Sequence, residues 1–341
     1  MRKRGLTLGK FAPFHQGHQF LMETMLSEVD EAIAVIYDCP EVTPVPLRVR
    51  ANWIRQLYPN VQVIEAWDGP TEIGDTPEIK RKHEDYIINS LEIRGITHFY
   101  SSEFYGEHMS LALGAVNRLV DCDRKNVPIS GTIIRNNPFL FREYLHPSVY
   151  RDLIANIVFL GAPSTGKTTI TSRLAQEYNT LWMPEYGREY WEKHQINRRL
   201  SLEQLVEIAE GHLEREEALL LKANSYLFTD TNAITTYLFS LYYHQTAAPQ
   251  LIELANQAIS RYDLVFVCDT DIPYDDTWDR SGEANRQVFQ KQIISDLIIR
   301  KIPFFILQGN LEARVNTIKQ IINNYQKYQN LRDIFAVKYT L

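Results

Sequence analysis

The sequence has few cysteines, no long apolar run and no excess of basic charge, and each absence narrows the choice of function. Its three cysteines, Cys39, Cys122 and Cys268, stand far apart in 341 residues, which argues against a disulfide framework and against a paired metal or redox site. No stretch reaches 18 apolar residues and no apolar signal core follows Met1, so we expect a cytoplasmic protein without membrane insertion. The formal net charge of −6 argues against broad, non-specific binding of DNA.

What the sequence does contain is short β-rich runs that alternate with segments of helical periodicity. In the first half the strand candidates are 5–8, 32–37, 61–67 and 98–101, and the helix candidates are 17–27, 47–58 and 78–91. The second half restarts with strand candidates 156–160, 226–229, 264–268 and 303–307 and helix candidates 168–178, 201–222 and 250–260. This alternation predicts an α/β protein with two doubly wound parallel sheets. We expect one domain at 1–150 and a second at 151–341.

The most specific motif is a phosphate-binding loop between a strand and a helix in the second half. The stretch GAPSTGKT at 161–168 fits the pattern G-x-x-x-x-G-K-[ST] completely. The glycines let backbone N–H groups close around phosphate oxygens, Lys167 places a charge at the β- and γ-phosphates, and Thr168 offers a hydroxyl to Mg²⁺. The motif therefore predicts an ATP·Mg²⁺ site at this turn.

Polar groups further along the chain are candidates to complete that site. Asp230 closes a strand, where a carboxylate holds Mg²⁺ through water or accepts a proton from an attacking hydroxyl, unless it only caps the next helix. The segment EYGREY at 185–190 suits a ribose and a base, or equally a solvated helix face. Arg280 and Arg286 lie in a polar stretch and would fold over the transferring phosphate; ordinary surface arginines are the alternative.

The first half carries a second candidate phosphate site, where the first strand turns into the first helix. In GKFAPFHQGH at 9–18, His15 and His18 are three residues apart, so a helix that begins near Gly17 directs both toward one phosphate. As imidazolium groups they would stabilise charge on an α-phosphate, and Gly9 would leave room for a nucleotide. A metal site is the weaker alternative, because two histidines without a third ligand are incomplete.

The stretch ISGTIIR at 129–135 is another anion-binding candidate in the same half. The hydroxyls of Ser130 and Thr132, a helix N-terminus and the charge of Arg135 together suit a phosphate. Taken alone, the stretch is equally an ordinary capped helix start. Its occurrence in the same predicted domain as GKFAPFHQGH favours phosphate binding.

The pairing of GKFAPFHQGH with ISGTIIR resembles the nucleotidyltransferase superfamily that carries (H/T)xGH and ISxTxxR-type motifs. Followed by a P-loop, EYGREY and TDTNAITT at 229–236, the chain is similar to the bifunctional nicotinamide-nucleotide (NMN) adenylyltransferase/ribosylnicotinamide kinase family of NAD salvage, from residue 5 to about residue 314. The resemblance implies a Rossmann-like nucleotidyltransferase domain followed by a P-loop kinase domain. It also implies two activities: phosphorylation of ribosylnicotinamide to NMN by ATP, and adenylyl transfer from ATP to NMN, which gives NAD and pyrophosphate.

The resemblance further implies roles for individual residues. Four would be catalytic, namely His15, His18, Lys167 and Asp230, and Thr168 with Asp230 would hold Mg²⁺. The adenylyltransferase site would bind ATP and NMN through Gly9, Lys10, Phe11, Ser130, Thr132 and Arg135. The kinase site would bind ATP through Gly161, Ser164, Thr165, Gly166, Lys167, Thr168, Thr169, Arg280 and Arg286. It would bind ribosylnicotinamide through Glu185, Tyr186, Arg188, Asp230, Asn232 and Tyr274.

Two features distinguish this chain from other members of that family. Some members begin with a DNA-binding helix-turn-helix domain, whereas here only residues 1–4 precede the first strand, so we expect no DNA partner. Others carry a second aspartate where this chain has Asn232, whose amide can position a ribose hydroxyl but cannot act as a base. The expected partners are ATP, NMN, ribosylnicotinamide and NAD, and a homo-oligomer is left open. The alternative function is one catalytic domain beside a nucleotide sensor for NAD or ATP that regulates a partner.

Overall fold

The computed structural model describes residues 2–72, 74–103, 106–196, 199–274 and 283–328. Two compact units, whose main parts are Met1–Tyr150 and Arg151–Tyr325, each contain a five-stranded sheet. All pairs of neighbouring strands in both sheets run parallel, which confirms the predicted fold class. None of the helices among these residues combines the length and the apolarity that a membrane crossing requires.

The first unit has a sheet with the strand order β3-β2-β1-β4-β5. The strands are β1 (Arg4–Gly9), β2 (Glu31–Tyr37), β3 (Val61–Ala66), β4 (His98–Ser101) and β5 (Val116–Leu119). The helices are α1 (Gln16–Glu28), α2 (Leu47–Leu57), α3 (Pro77–Asp85), α4 (Gly106–Leu113), α5 (Gly131–Asn136) and α6 (Pro147–Leu153). Because β1 lies between β2 and β4, the order of the strands reverses there, and a ligand site is expected at the carboxyl end of β1.

The second unit has the strand order β10-β9-β6-β8-β7. The strands are β6 (Ala155–Leu160), β7 (Leu181–Met183), β8 (Tyr226–Asp230), β9 (Leu264–Cys268) and β10 (Phe305–Leu307). The helices are α7 (Lys167–Glu177), α8 (Tyr186–His194), α9 (Leu202–Leu220), α10 (Ala233–His244), α11 (Pro249–Gln257), α12 (Glu283–Ile299) and α13 (Leu311–Asn324). Here β6 is the central strand between β8 and β9, so the equivalent site lies at the carboxyl end of β6.

Several elements differ from the sequence-based expectation, and the helices α4, α6, α12 and α13 have no counterpart among the candidates. The periodicity does not predict β5, all of whose side chains are exposed, or β7, which is only three residues long. Neither strand has the run of apolar residues that makes β6 recognisable, since all six residues of β6 are buried. The helix expected at 78–91 ends at Asp85 and continues as a π-helical turn, Tyr86–Ser90.

Candidate active sites

The phosphate-binding loop of the second unit connects β6 to α7. Gly161 and Gly166 have φ values of 140° and 82°, which side-chain-bearing residues rarely adopt. A side chain at Gly161 would also approach the carbonyl oxygen of Cys268 to 2.6 Å. The ammonium of Lys167 is buried and donates to two carbonyl oxygens of the loop at 3.0 and 3.1 Å. The loop is therefore built around a cation at the position where a nucleotide's phosphates would bind.

Two buried arginines hold this loop from behind. Arg286 on α12 donates to the carbonyl of Ser164 at 3.0 Å, and Arg314 on α13 donates to the carbonyl of Thr165 at 2.8 Å. Arg286 was predicted to fold over the transferring phosphate, whereas here its guanidinium faces backbone carbonyls. Arg280 lies outside the described residues.

Arg314 was not predicted as a site residue, although its spacing from apolar residues of α13 indicates that it is buried. The residue stands on the same helical face as the buried Ile318 and Ile322, four and eight positions later. An arginine within an apolar stripe must find hydrogen-bond acceptors in the interior, because an unpaired buried charge is costly. Backbone carbonyls of a loop are such acceptors.

Asp230 ends β8 beside the first turn of α7. Its Oδ2 accepts a hydrogen bond from the Thr168 hydroxyl at 2.5 Å, and its Oδ1 is buried without a hydrogen-bond partner among the described residues. Burial, and then the nearby charge of Glu185, raise the pKa of Asp230 to about 6, against the opposing effect of Lys167. A carboxylate with a free buried oxygen next to a threonine hydroxyl fits a hard divalent cation. Its raised pKa also suits a proton acceptor.

A cavity of about 570 Å³ opens next to the loop, within the size range of small-molecule sites. Predicted residues that line it are Gly161, Ser164, Thr165, Gly166, Lys167, Thr168, Thr169, Glu185, Arg188 and Asn232. Its wall also contains residues that the sequence analysis did not single out, notably Trp191, His212, Phe239 and Tyr243. The predicted residues Tyr186, Asp230, Tyr274 and Arg286 are not among the lining residues. The Tyr186 ring is instead covered by the guanidinium of Arg215 at 3.9 Å.

Asn232 contributes to the second unit as a helix cap. Its Oδ1 accepts a hydrogen bond from the backbone N–H of Ile234 at 3.0 Å, at the start of α10. The helix-cap role that the sequence analysis considered for Asp230 therefore belongs to Asn232. Asn232 still borders the cavity, so a cap and a ligand contact are compatible there.

In the first unit, His15 and His18 form the start of α1. The Nδ1 atom of His15 accepts from the N–H of Gly17 at 3.1 Å, and the Nδ1 atom of His18 accepts from the N–H of His15 at 3.3 Å. The two rings are stacked with their centroids 3.8 Å apart. Because both Nδ1 atoms accept hydrogen bonds, each neutral ring carries its proton on Nε2.

The charge state of this histidine pair differs from the expectation. Burial, followed by the charges of Arg124 and Arg135, lowers the pKa of His15 to about 4. Burial and the charge of His15 lower the pKa of His18 well below its ordinary value. The expected imidazolium pair therefore differs from this structure: the lowered pKa values favour uncharged rings, with the proton on Nε2, near neutral pH. The desolvation of two adjacent rings is the physical reason.

The ISGTIIR stretch lies beside the histidine segment. Arg135 donates to the carbonyl of Ala12 at 2.6 Å and to the hydroxyl of Thr132 at 3.0 Å. The hydroxyl of Ser130 accepts from the N–H of Ile133 at 3.3 Å and so caps α5. The two motifs of the first unit are thus joined by one arginine.

The remaining predicted residues of the first unit surround the same turn. Lys10 forms an ion pair with Glu41 at 2.9 Å. The ring of Phe11 packs edge-on against His18, with centroids 4.9 Å apart. A side chain at Gly9 would come within 3.0 Å of the Phe11 ring. In this structure, the absence of a side chain at Gly9 therefore leaves room for the ring of Phe11.

Arg50 is a further residue of this site that the sequence analysis missed. It is fully buried on α2 and donates to the carbonyls of Lys10, at 2.5 Å, and of Tyr37, at 3.0 Å. It thereby ties the turn after β1 to the end of β2. Like Arg314, it lies on the buried face of a helix, between Leu47 and Ile54.

Comparisons with known proteins cover both units. A family model described as an AAA domain matches residues 156–314. Two proteins named trifunctional NAD biosynthesis/regulator protein NadR, from Salmonella typhimurium and Escherichia coli, are each 28% identical to this chain, over 88% of it and 77% of their own length. A crystal structure of NadR protein in complex with NAD and AMP-PNP aligns with a TM-score of 0.55 at 22% identity, covering 95% of this chain and 96% of that chain. A structure of NadR protein in complex with NR has a TM-score of 0.56, also at 22% identity, and covers 96% of this chain and 98% of that chain.

These comparisons confirm the resemblance that the two motif sets predict. The sequence relatives match both halves of the chain, and the aligned structures share its fold across nearly the whole length.

Proposed function

We propose that this chain, a relative of the NadR proteins over 88% of its length, is a bifunctional enzyme of NAD salvage that makes NMN in its second unit and NAD in its first. One observation carries the proposal: each unit has side chains suited to phosphate at the switch point of its own sheet. In the first unit these are His15, His18 and Arg135, and in the second they are Lys167 and Thr168.

In the second unit, the 5′-hydroxyl of ribosylnicotinamide attacks the γ-phosphorus of ATP. A bond forms between the 5′-oxygen and the γ-phosphorus, the bond to the β-bridging oxygen breaks, and ADP leaves. Asp230 accepts the hydroxyl proton, for which its pKa of about 6 is suitable. Lys167 neutralises charge on the phosphates, and the backbone of the loop holds them in place.

Magnesium is the cofactor that these residues fit. The hydroxyl of Thr168 would hold it, together with Asp230 acting through water, and ATP is the co-substrate. When bound, Mg²⁺ supplies positive charge that offsets the charge developing between the β- and γ-phosphates.

In the first unit, a 5′-phosphate oxygen of NMN attacks the α-phosphorus of ATP. The bond from the α-phosphorus to the pyrophosphate oxygen breaks, which gives NAD and pyrophosphate. His15 and His18, donating from Nε2, stabilise the charge that develops on the α-phosphate. Arg135 and the backbone at the start of α5 provide further positive potential for the phosphates.

The test is to incubate the pure chain with ATP, Mg²⁺ and ribosylnicotinamide, and separately with ATP, Mg²⁺ and NMN. We expect NMN and ADP from the first mixture, and NAD and pyrophosphate from the second. Product in only one mixture would leave a single-activity enzyme. Product in neither, together with measurable binding of NAD or ATP, would instead favour a nucleotide sensor.

A further inference from the structure

One wall of the second-unit cavity is a face of α9 that the proposed reaction does not use. Leu205, Ile208 and His212 follow each other on that face at helical spacing, and all three line the cavity. His212 is the polar member of the three, and it is only 5% exposed. A polar ring in such a position is placed to meet a polar atom of the ligand, since burying it opposite an apolar group costs free energy.

His212 lies beside a buried carboxylate. Its Nε2 is 3.6 Å from Oε2 of Glu216, one helical turn later, which is beyond hydrogen-bond distance, and this Nε2 has no hydrogen-bond partner among the described residues. Three donors fix that carboxylate: Asn156 at 2.7 Å, Arg261 at 2.5 Å and Tyr262 at 2.9 Å. A carboxylate held by three hydrogen bonds cannot turn away, so its charge stays beside the ring.

The same network connects His212 to the strands of the reaction site. Asn156 lies on β6, which leads into the phosphate-binding loop, and it accepts a hydrogen bond from Thr229 at 3.1 Å. Thr229 directly precedes Asp230 on β8. The carboxylate beside His212 is therefore linked by hydrogen bonds to β6 and β8, the two strands that lead to the phosphate-binding loop and to Asp230.

The direction of the ring decides what it can do for a ligand. The negative charge of Glu216 beside Nε2 favours the ring proton on that nitrogen, which leaves Nδ1 as an acceptor for a ligand in the cavity. The neighbouring Leu205, Ile208 and Trp191 offer little hydrogen bonding to a sugar hydroxyl, whose burial without a partner would be unfavourable.

We infer that His212 is a specificity-determining residue of the second unit, which accepts a hydrogen bond through Nδ1 from a ribose hydroxyl of the nucleoside that is phosphorylated. The inference rests on the proposed kinase function and deepens it: the site selects ribosides over deoxyribosides. It assigns His212 to binding and leaves the acceptance of the reacting proton to Asp230.

The test is a comparison of two amide variants that each keep half of the imidazole. His212→Asn places an amide near the position of Nδ1, and His212→Gln places one near Nε2. Values of kcat and KM are measured for ribosylnicotinamide and for its 2′-deoxy and 3′-deoxy forms. Adenylylation of NMN by the same samples is the internal control for folding of the chain. Because His212 is buried, His212→Leu serves as a second variant without an acceptor.

We expect the wild type to prefer ribosylnicotinamide to one deoxy form by about tenfold in kcat/KM, the effect of one lost hydrogen bond. His212→Gln and His212→Leu should lose that preference, mainly through KM for the riboside, while His212→Asn should retain it. The KM for ATP should be unchanged.

If the wild type prefers the riboside to a deoxy form and all three variants show the same preference, the inference is wrong and the proposed kinase function still stands. The same follows if the wild type phosphorylates the deoxy forms as well as the riboside. No phosphorylation of ribosylnicotinamide by the wild type would instead overturn the proposed function itself.

Discussion

The first and second units place their proposed phosphate-binding groups at the carboxyl end of the central strand of a parallel sheet, yet the charge states of those groups differ. In the first unit, two stacked histidines at the end of β1 are neutral donors, since burial lowers the pKa of both. In the second unit, the loop after β6 surrounds a lysine and faces a carboxylate whose pKa is raised to about 6. Sheet topology thus fixes where each site lies, and the residues of one loop fix its electrostatics.

The two proposed phosphate sites also differ in the kind of group that would face the phosphate. The first unit has neutral N–H donors that need no counter-ion, with Arg135 joining the two motifs. The second unit keeps a cation buried in its loop, with Lys167 satisfied by backbone carbonyls and the loop itself supported by Arg286 and Arg314. If the two sites work independently, substitutions in one should leave the other unaffected.

The largest expected effects come from removing one phosphate-binding side chain in each unit. Lys167→Ala should lower phosphorylation of ribosylnicotinamide by about 10²–10³-fold, because a charge opposite the transferring phosphate is lost. His18→Ala should lower adenylylation of NMN by a similar factor, because a donor to developing charge is lost. Each variant is assayed for both products, and its unaffected activity is the control. Loss of both activities in a folded variant would break the comparison.

A smaller effect is expected from Asp230→Asn, which keeps the shape of the side chain but removes its charge. Phosphorylation of ribosylnicotinamide should fall by about 10²-fold in kcat, because the proton acceptor is lost. NMN adenylylation should be unchanged. Steady-state kinetics in both assays check this, and a kcat close to that of the wild type would remove Asp230 from the chemistry.

Acid should reveal the neutral state of the first-unit histidines. His15 has a pKa of about 4 in the folded chain and 6.5 when unperturbed, so between these values the unfolded chain binds a proton that the folded chain does not. The free energy of unfolding therefore decreases as the pH falls through this window, by about 2 kcal/mol between pH 6.5 and pH 5.

The matched variant is His15→Asn, which retains a capping side chain but does not titrate. Urea unfolding at pH 7 and pH 5 should show a smaller loss of stability in this variant than in the wild type. An equal loss in both chains would indicate that His15 is not held neutral.

The smallest effect concerns the cap of α10. Asn232→Ala should lower the free energy of unfolding by about 1 kcal/mol, the typical contribution of a side-chain cap, and should raise KM for ribosylnicotinamide more than it lowers kcat. Asn232→Asp is the control, because aspartate caps a helix equally well. Thermal unfolding of the three chains gives the comparison, and a cap role is wrong if Asn232→Ala melts with the wild type.

The motifs found in the sequence include most of the residues that meet in the two sites, for a physical reason. A phosphate-binding loop and a histidine pair at a helix start are local features, in which spacing along the chain sets spacing in space. The phosphate-binding loop follows β6, and Asp230 ends the neighbouring parallel strand β8. The two therefore lie at the same edge of the sheet, which brings Asp230 into contact with Thr168.

The supporting residues and the charge states could not be predicted in the same way. Arg50, Arg286 and Arg314 each act on a backbone carbonyl far away in sequence, so their roles depend on how helices pack onto the sheets. The residues of β5 and β7 show little apolar or alternating pattern. These segments are strands because they pair with the neighbouring strands β4 and β8.

By itself, the sequence determined the α/β class, the two sheets and the turns where phosphate would bind, because periodicity and short motifs are properties of neighbouring residues. Only the tertiary structure decided that burial lowers the pKa values of His15 and His18, that Asn232 caps a helix, and that Glu216 lies beside His212 at the cavity. A pKa and a hydrogen-bond partner depend on burial and on groups from distant parts of the chain, and folding alone brings those together.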